Sequence, residues 1–178
     1  MADEKWIELG MLIISKTAKI SKLADIEDSV RGSKIIIGDE VVIDSFVKIK
    51  PAGGMGDLEI GQGTVINSGV AIYTGNGIRI GANVLIAANC VLSPTSHEFR
   101  SRDLLIKEQG FIAASAIFGG RTGIVIEDDV LIGAGCAVLE GAYVGRGAVI
   151  TAGSLIKKKL DEYGIYSGTP LRCIGYRR

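Results

Sequence analysis

The chain contains one histidine, His97, and this side chain has the clearest potential for chemistry. Histidine as a residue type titrates near pH 6.5, so an imidazole can accept a proton at neutral pH and serve as a general base. A single histidine in a loop is, however, more often simply solvated. The hypothesis of a catalytic base therefore depends on the sequence around His97.

The C-terminal end of the chain is basic and could bind phosphate groups. This segment contains six cationic residues and only two acidic ones: Lys157, Lys158, Lys159, Arg172, Arg177 and Arg178, and Asp161 and Glu162. Ammonium and guanidinium groups are the usual partners of phosphate. A solvated basic tail is the alternative, and it is common.

The cysteines do not indicate a metal site or a disulfide framework. Cys90, Cys136 and Cys173 are odd in number, and no CxxC or Cys/His ligand spacing is present. The N-terminus MADEKWIELG lacks the apolar segment of a signal peptide. Twenty basic and twenty acidic residues cancel, which does not favour nucleic acid as a partner. These features predict a reduced cytoplasmic protein without a membrane span, a metal or a nucleic-acid partner.

A period of six residues reveals the elements that must position these groups. Between residues 126 and 156 every sixth residue is aliphatic: Ile126, Ile132, Val138, Val144, Ile150 and Ile156. The fifth place of each block is slim: Val130, Cys136, Ala142, Ala148 and Ser154. This period fits neither an amphipathic helix nor an alternating strand, and a fixed short period is typical of a parallel β-helix.

Each hexapeptide predicts a short strand followed by a corner. Places five, six and one point inward, outward and inward, so that places five and one fill the core. Places two to four form the corner, where Gly, Asn and Asp tolerate a positive φ. In the first coil, Ala18, Ala24 and Val30 occupy place five.

We therefore predict an all-β chain with one domain, residues 1–178. Residues 1–13 form an N-terminal cap, 14–156 a parallel β-helix of about six coils, and 157–178 a short C-terminal tail. The repeat stops between residues 93 and 125, and excursions this long are usually functional or disordered.

The stretch VLIAANCVLSPTSHE (84–98), followed by the excursion and then by DVLIG (129–133), carries a family resemblance. It is similar to the hexapeptide-repeat acyltransferases, and in particular to the sugar and xenobiotic O-acetyltransferases. The resemblance covers most of residues 14–156 and implies a left-handed parallel β-helix. It implies that His97 removes a proton from an acceptor, which then attacks acetyl-CoA directly.

The resemblance also implies binding residues. Asn67 resembles the asparagine that binds an acceptor sugar, although a plain corner residue is an equal alternative. Ala134, Ala152 and Gly153 match the positions whose backbone meets the pantetheine arm. Lys157 and Arg172, the latter in the closing motif GTPLRCIG (168–175), match phosphate contacts, and no metal is implied. The chain departs from the family at Leu131, where Trp is frequent, and at Leu171, where Ala or Cys is frequent.

A carboxylate partner for the histidine is expected in many members of the family. Glu98 is adjacent in sequence, but neighbouring residues on a strand face opposite ways. The sequence therefore does not identify this partner.

The outward place six becomes apolar from the third coil onward: Val65, Ala71, Leu85, Val91, Leu131, Ala137, Tyr143, Val149 and Leu155. An apolar stripe that cannot reach the core favours a partner surface. Strand propensity alone would explain the same residues. The resemblance implies a homotrimer buried along this stripe.

We expect an acetyltransferase acting on a hydroxyl of a sugar or glycan, as in surface-polysaccharide biosynthesis. The alternatives are N-acetylation of an amino sugar or amino nucleotide-sugar, acetylation of a xenobiotic, and a purely structural β-solenoid. A γ-type carbonic anhydrase would need three histidines on zinc, and a nucleotidyltransferase would need a further nucleotide-binding domain.

Overall fold

The computed structural model describes residues 5–112 and 123–178, and almost all of its regular structure is short strands. The strands in chain order are β1 (Trp6–Leu9), β2 (Leu12–Ser15), β3 (Lys19–Ile20), β4 (Asp25–Ile26), β5 (Ile35–Ile37), β6 (Val42–Ile43), β7 (Lys48–Lys50), β8 (Leu58–Ile60), β9 (Val65–Ile66), β10 (Ala71–Tyr73), β11 (Ile78–Ile80), β12 (Leu85–Ile86), β13 (Val91–Ser93), β14 (Ile124–Ile126), β15 (Leu131–Ile132), β16 (Ala137–Leu139), β17 (Tyr143–Val144), β18 (Val149–Ile150), β19 (Leu155–Ile156), β20 (Lys159–Leu160), β21 (Gly164–Ser167) and β22 (Arg172–Tyr176). One 3₁₀ helix spans Ile106–Glu108.

Every third strand stacks onto the same sheet, so that three sheets enclose one core. Sheet A has the order β1-β2-β5-β8-β11-β14-β17-β20, sheet B β22-β21-β18-β15-β12-β9-β6-β3, and sheet C β19-β16-β13-β10-β7-β4. Among the pairings between these strands, only β1–β2 and β21–β22 are antiparallel. Strands β2 to β19 make six complete coils, which confirms the predicted parallel β-helix.

The core consists of the two inward places of each hexapeptide. Ile43, Ile66, Ile86 and Ile132 at place one are almost wholly buried, as is Val47 at place five. Burying one such aliphatic side chain contributes about 1.5–3 kcal/mol relative to leaving it exposed. The core therefore grows coil by coil, as each hexapeptide adds its inward side chains.

Place four of the corners requires a left-handed backbone. Gly63, Asn83 and Gly147 have φ of 69°, 55° and 67°, and even the bulky Phe46 and Tyr163 have φ of 62° and 56°. Glycine adopts this region without the Cβ penalty that other residues meet there. The predicted corner at places two to four is confirmed, and the positive φ occurs at place four.

The first coil departs from the predicted pattern. Val30 is 98% exposed, so its assignment to the core is wrong. After β4 the chain leaves the coil, and the backbone around it is held instead by the buried hydroxyls of Ser29 and Ser33, which are 2.8 Å apart. The hexapeptide pattern does not apply to this bend, because local hydrogen bonds of the serine hydroxyls determine its backbone.

An antiparallel strand lies at each end of the β-helix. At the N-terminus β1 pairs with β2 and extends sheet A, while Trp6, Ile7 and Leu9 stay exposed. At the C-terminus β20 and β21 begin a seventh coil, and β22 folds back on β21. Tyr166 and Leu171 are buried there, so the segment 157–178 continues the core.

The long excursion leaves the β-helix after Ser93 and returns at Ile124. The predicted excursion, residues 93–125, therefore ends two residues too late. Residues 113–122 of the predicted excursion lie outside the described part of the chain. Its first half, up to residue 112, carries His97.

Candidate active site

His97 is exposed and lies at the corner between sheets C and A, four residues after β13 ends. The chain there folds back on itself, because His97 forms an antiparallel bridge with Phe111. The Glu98 N–H donates to the Gly110 carbonyl at 3.0 Å, and the Ile112 N–H donates to the Ser96 carbonyl at 2.9 Å. The predicted outward histidine at the lip of the excursion is confirmed as to position.

A pocket of about 310 Å³ opens beside His97. Its lining residues are Ala52, Gly53, Tyr73, Ser93, Thr95, His97 and Phe111. Tyr73 and Phe111 supply aromatic surface, and His97 is the one imidazole among the described lining residues, which include no Asp, Glu, Lys or Arg. The sequence analysis did not single out Tyr73 or Phe111, and the glycine-rich loop that precedes β8, residues 51–57, is the sequence feature that could have indicated close packing here.

Two glycines make room for this pocket. A Cβ on Gly53 would lie 2.7 Å from Thr95 Oγ1, and a Cβ on Gly75 would lie 2.8 Å from Thr95 Cγ2. Real Cβ atoms do not approach other atoms so closely, and both glycines have positive φ. The glycines therefore let the start of the excursion pack against the corners of the two coils below it.

Glu98 does not serve as the orienting carboxylate. One of its oxygens accepts the N–H groups of Phe99 and Arg100 at 2.9 and 3.0 Å. These backbone hydrogen bonds lower the pKa of Glu98 below its usual value, and the Arg100 guanidinium lies 3.5 Å away. Within residues 5–112 and 123–178, no hydrogen bond or ion pair joins the His97 imidazole to an acid.

A second pocket, of about 420 Å³, lies near the C-terminal end of the helix. It is lined by Leu155, Lys157, Lys158, Thr169, Pro170, Leu171 and Arg172. The fold brings together Lys157 and Arg172, as the sequence predicted, and adds Lys158. Three cations over an apolar floor suit the phosphates and the base of a nucleotide.

Both pockets lie along one edge of sheet C, which we name the His97 edge. Tyr73, Ser93, Leu139 and Lys157 occupy it in successive coils, each directly after the inward residue of its strand. Neighbouring strands are about 4.8 Å apart, so Ser93 and Lys157 are separated by roughly 10 Å along the helix axis. One extended molecule could therefore reach both pockets.

The opposite edge of sheet C carries the other predicted residues. Asn67 is half-buried in a corner of coil three, and Ala134, Ala152 and Gly153 are exposed in the corners of coils five and six. The Gly153 N–H donates to the Ala134 carbonyl at 2.8 Å, and a Cβ on Gly153 would meet nothing within 4 Å. We name this surface of exposed backbone the bare edge. One chain does not bring it to His97.

Two cysteines lie behind the bare edge. Cys90 and Cys136 are both buried, which confirms the predicted core role of Cys136 and places Cys90 in the equivalent position of the coil before it. The Cys90 thiol donates to the Gly133 carbonyl at 3.1 Å, and the Cys136 thiol donates to the Thr151 carbonyl at 3.2 Å. These contacts support the corners from inside.

The predicted apolar stripe is divided between faces. Sheet B carries a continuous ladder in register, Val42, Val65, Leu85, Leu131, Val149 and Ile165. Sheet C carries the shorter ladder Ala71, Val91, Ala137 and Leu155. Tyr143 lies on sheet A, where its hydroxyl donates to Glu127 and Lys159 lies over its ring. The idea of a single stripe is therefore wrong, because successive sixth places belong to different faces of a triangular coil.

In the part of the chain that the structure describes, no group of three or more His, Cys, Asp or Glu could hold a metal ion. None of the described helices is long and apolar enough to span a membrane.

Comparison with known proteins supports the repeat and the fold. The family model "Bacterial transferase hexapeptide (six repeats)" matches residues 123–158. A 2,3,4,5-tetrahydropyridine-2,6-dicarboxylate N-acetyltransferase of Staphylococcus aureus is 36% identical in a 69-residue alignment that covers 35% of this chain and 29% of the relative. The chain thus matches less than a third of that relative's length.

Solved structures match over most of the chain. A hexapeptide-repeat-containing acetyltransferase of Vibrio cholerae, complexed with acetyl coenzyme A, has a TM-score of 0.67 and 25% identity, covering 80% of this chain and 70% of that one. The N-acyltransferase AntD of Bacillus cereus, in complex with dTDP-4-amino-4,6-dideoxyglucose and coenzyme A, has a TM-score of 0.68 and 24% identity, covering 94% and 82%. The resemblance to hexapeptide-repeat acyltransferases is confirmed, and the fold is the left-handed parallel β-helix.

Proposed function

We propose that this chain is an acetyltransferase that moves an acetyl group from acetyl-CoA to a nucleophile on a sugar-type acceptor, with His97 as general base. The observation that carries this proposal is the shared His97 edge. A pocket with an imidazole and a pocket with three cations lie on one side of the helix, and Ser93 of the first is offset from Lys157 of the second by about 10 Å along the axis. That arrangement suits a cofactor whose phosphates are held at one end while its thioester reaches the base at the other.

In this mechanism the His97 imidazole accepts the proton of the acceptor nucleophile as that atom attacks the thioester carbonyl carbon. The tetrahedral intermediate carries a negative oxygen, which backbone N–H groups of the corners or the excursion would stabilise. Collapse of the intermediate breaks the carbon–sulfur bond. The imidazolium then returns its proton to the departing sulfur, and free coenzyme A leaves.

The lining of the His97 pocket supports an acceptor without charge at the reacting end. No Asp, Glu, Lys or Arg is among the described residues that line the pocket. A carboxylate held in a pocket needs a cation or several donors to replace its water. A dicarboxylate acceptor, such as the one named for the Staphylococcus relative, fits this lining less well than a sugar does.

The reacting atom is a hydroxyl oxygen or an amine nitrogen. The family resemblance of the 84–98 stretch favours a hydroxyl, as in O-acetylation. A specific comparison favours the second candidate, N-acetylation of an amino sugar, because AntD is an N-acyltransferase whose structure holds a dTDP-linked amino sugar.

We propose that the active assembly is a homotrimer. The ladder on sheet B runs through six coils and would be an apolar surface in water, so another copy of the chain is a suitable cover. Packing subunits side by side could place the bare edge of one against the His97 edge of the next. This would bring Asn67, Ala134, Ala152 and Gly153 to a site that one chain leaves incomplete.

The test is release of free thiol from acetyl-CoA with a panel of acceptors. The panel contains neutral sugars, amino sugars, dTDP-linked amino sugars and an amino dicarboxylate. We expect turnover with a sugar or an amino sugar and none with the dicarboxylate. Absence of thiol release with every acceptor, together with absence of coenzyme A binding in calorimetry, would favour a structural β-solenoid.

A further inference from the structure

Phe111 lies directly opposite His97 across the base of the excursion. The two hydrogen bonds of this bridge, Glu98 to Gly110 and Ile112 to Ser96, flank the pair on both sides. His97 and Phe111 therefore form the kind of antiparallel pair that shares no hydrogen bond, in which opposed side chains come closest and lie on the same face. The backbone pairing itself puts one ring beside the other.

The rings are in contact. Their centroids are 4.7 Å apart and their planes are inclined by 36°. Aromatic pairs at this separation attract one another beyond simple burial. Gly53 lies behind the ring, where an added Cβ would be 3.6 Å from Phe111 Cε1 and 2.7 Å from Thr95 Oγ1. A loop with side chains at this point would displace both residues.

The ring contact matters because the described part of the chain offers the imidazole no acid partner. The nearest acid in sequence, Glu98, is bound to the N–H groups of Phe99 and Arg100. An exposed histidine without a partner samples several rotamers. If the reaction needs only one of them, restricting the side chain to that rotamer costs conformational entropy. Contact with Phe111 reduces that freedom without an ionised group.

We propose that Phe111 is a positioning residue that holds the His97 imidazole over the pocket lined by Tyr73 and Thr95. The proposal rests on the proposed function, because it assumes that His97 is the general base. It assigns to an aromatic ring the task that a carboxylate is expected to perform in many members of the family. The Phe111 ring fixes the position of the imidazole without adding charge, whereas a carboxylate would also place a negative charge beside it.

The test compares three variants with the best acceptor of the panel. Phe111→Leu should lower kcat about three- to tenfold, as the loss of an aromatic pair predicts. The KM for acetyl-CoA should stay the same, because the cationic pocket lies two coils away. Phe111→Tyr keeps the ring and should restore kcat to within about twofold. The matched control is Phe99→Leu, which removes an exposed ring of the same loop and should have no effect.

A double variant separates the possible outcomes. If Phe111 acts through His97, Phe111→Leu should add nothing in the His97→Ala background. An equal loss in both backgrounds would overturn the proposal, as would a rise in the acceptor KM with unchanged kcat, which would make Phe111 an acceptor contact. Should Phe111→Leu lower the melting temperature, Phe111→Met takes its place with the same expected loss.

Failure of the two proposals can be distinguished. If His97→Ala retains wild-type activity, the proposed general base is wrong and the positioning role falls with it. If His97→Ala is inactive while Phe111→Leu has the wild-type kcat, only the positioning role is overturned.

Discussion

The two edges of sheet C differ in the way they break or keep the repeat. On the His97 edge the chain interrupts the coil repeatedly, most extensively with the glycine-rich loop at 51–57 and with the excursion after Ser93, and side chains form two pockets. On the bare edge the corners of coils five and six follow one another without interruption. Small residues there leave the backbone of Ala134 and Gly153 exposed.

This difference indicates that the two edges have different roles. Interruptions of a regular solenoid can place an imidazole and cations at chosen points, whereas an uninterrupted column of corners offers a smooth track for an extended ligand. In a single chain the His97 edge and the bare edge lie at opposite edges of sheet C. A site that uses both edges therefore needs a second copy of the chain.

The largest effect is expected for the imidazole of the His97 edge. His97→Ala should lower kcat by about 10² to 10⁴, the usual contribution of a general base. Thiol-release assays measure kcat.

The matched control for this variant is Glu98→Gln. Its carboxylate binds the backbone of its own loop and has no bond to the imidazole, so kcat should stay within about twofold of the wild type. A loss as large as that of His97→Ala would show that Glu98 acts in catalysis. Thiol release by His97→Ala close to the wild-type rate would move the search to the rest of the excursion.

The second prediction addresses the need for another copy. Val149→Glu places a carboxylate in the middle of the sheet B ladder, next to Leu131 and Ile165. Burying an unpaired charge in an interface costs several kcal/mol, so the assembly should dissociate and activity should fall with it. Sedimentation equilibrium measures the mass.

Val125→Glu is the corresponding control, because Val125 is also at place six but on sheet A, next to Arg79 and Tyr143. It should leave the mass unchanged. A wild-type protein that sediments as a monomer at all concentrations would contradict both the trimer and the shared site.

The third prediction addresses the bare edge. Ala152→Phe adds a ring to an exposed corner and should weaken acetyl-CoA binding about tenfold or more, because the arm could no longer lie against the backbone. Glu162→Phe makes a similar change at an exposed corner between sheets A and B and should not alter affinity. Calorimetry with both variants gives the comparison, and equal affinities would remove the cofactor from the bare edge.

The smallest effect is expected for the cationic pocket. Arg172→Ala should weaken acetyl-CoA about three- to tenfold, and dephospho-acetyl-CoA less, if the guanidinium contacts the 3′-phosphate. Arg31→Ala, an exposed arginine of the first coil, should change neither affinity. Equal losses for the two ligands would assign Arg172 to the pyrophosphate or the base.

Much of the fold could be predicted because the repeat is local. The sixth-residue spacing of Ile126, Ile132 and Ile150 specifies which side chains face inward, and each coil contacts only its neighbours. The pattern failed at Val30, where Ser29 and Ser33 form a bend through their own hydrogen bonds. It failed again for the outward stripe, because a period of six does not state which of three faces a residue joins.

The sequence by itself determined the coil, the outward position of His97 and the basic residues Lys157 and Arg172. Only the tertiary structure decided that Phe111 contacts the imidazole, that Tyr73 lines the same pocket, and that His97 and Gly153 lie on opposite edges. The physical reason is that a hexapeptide repeat fixes the environment of each residue through its nearest coils. The pairing of an excursion across its base, and the choice of face, depend on contacts between residues far apart in sequence.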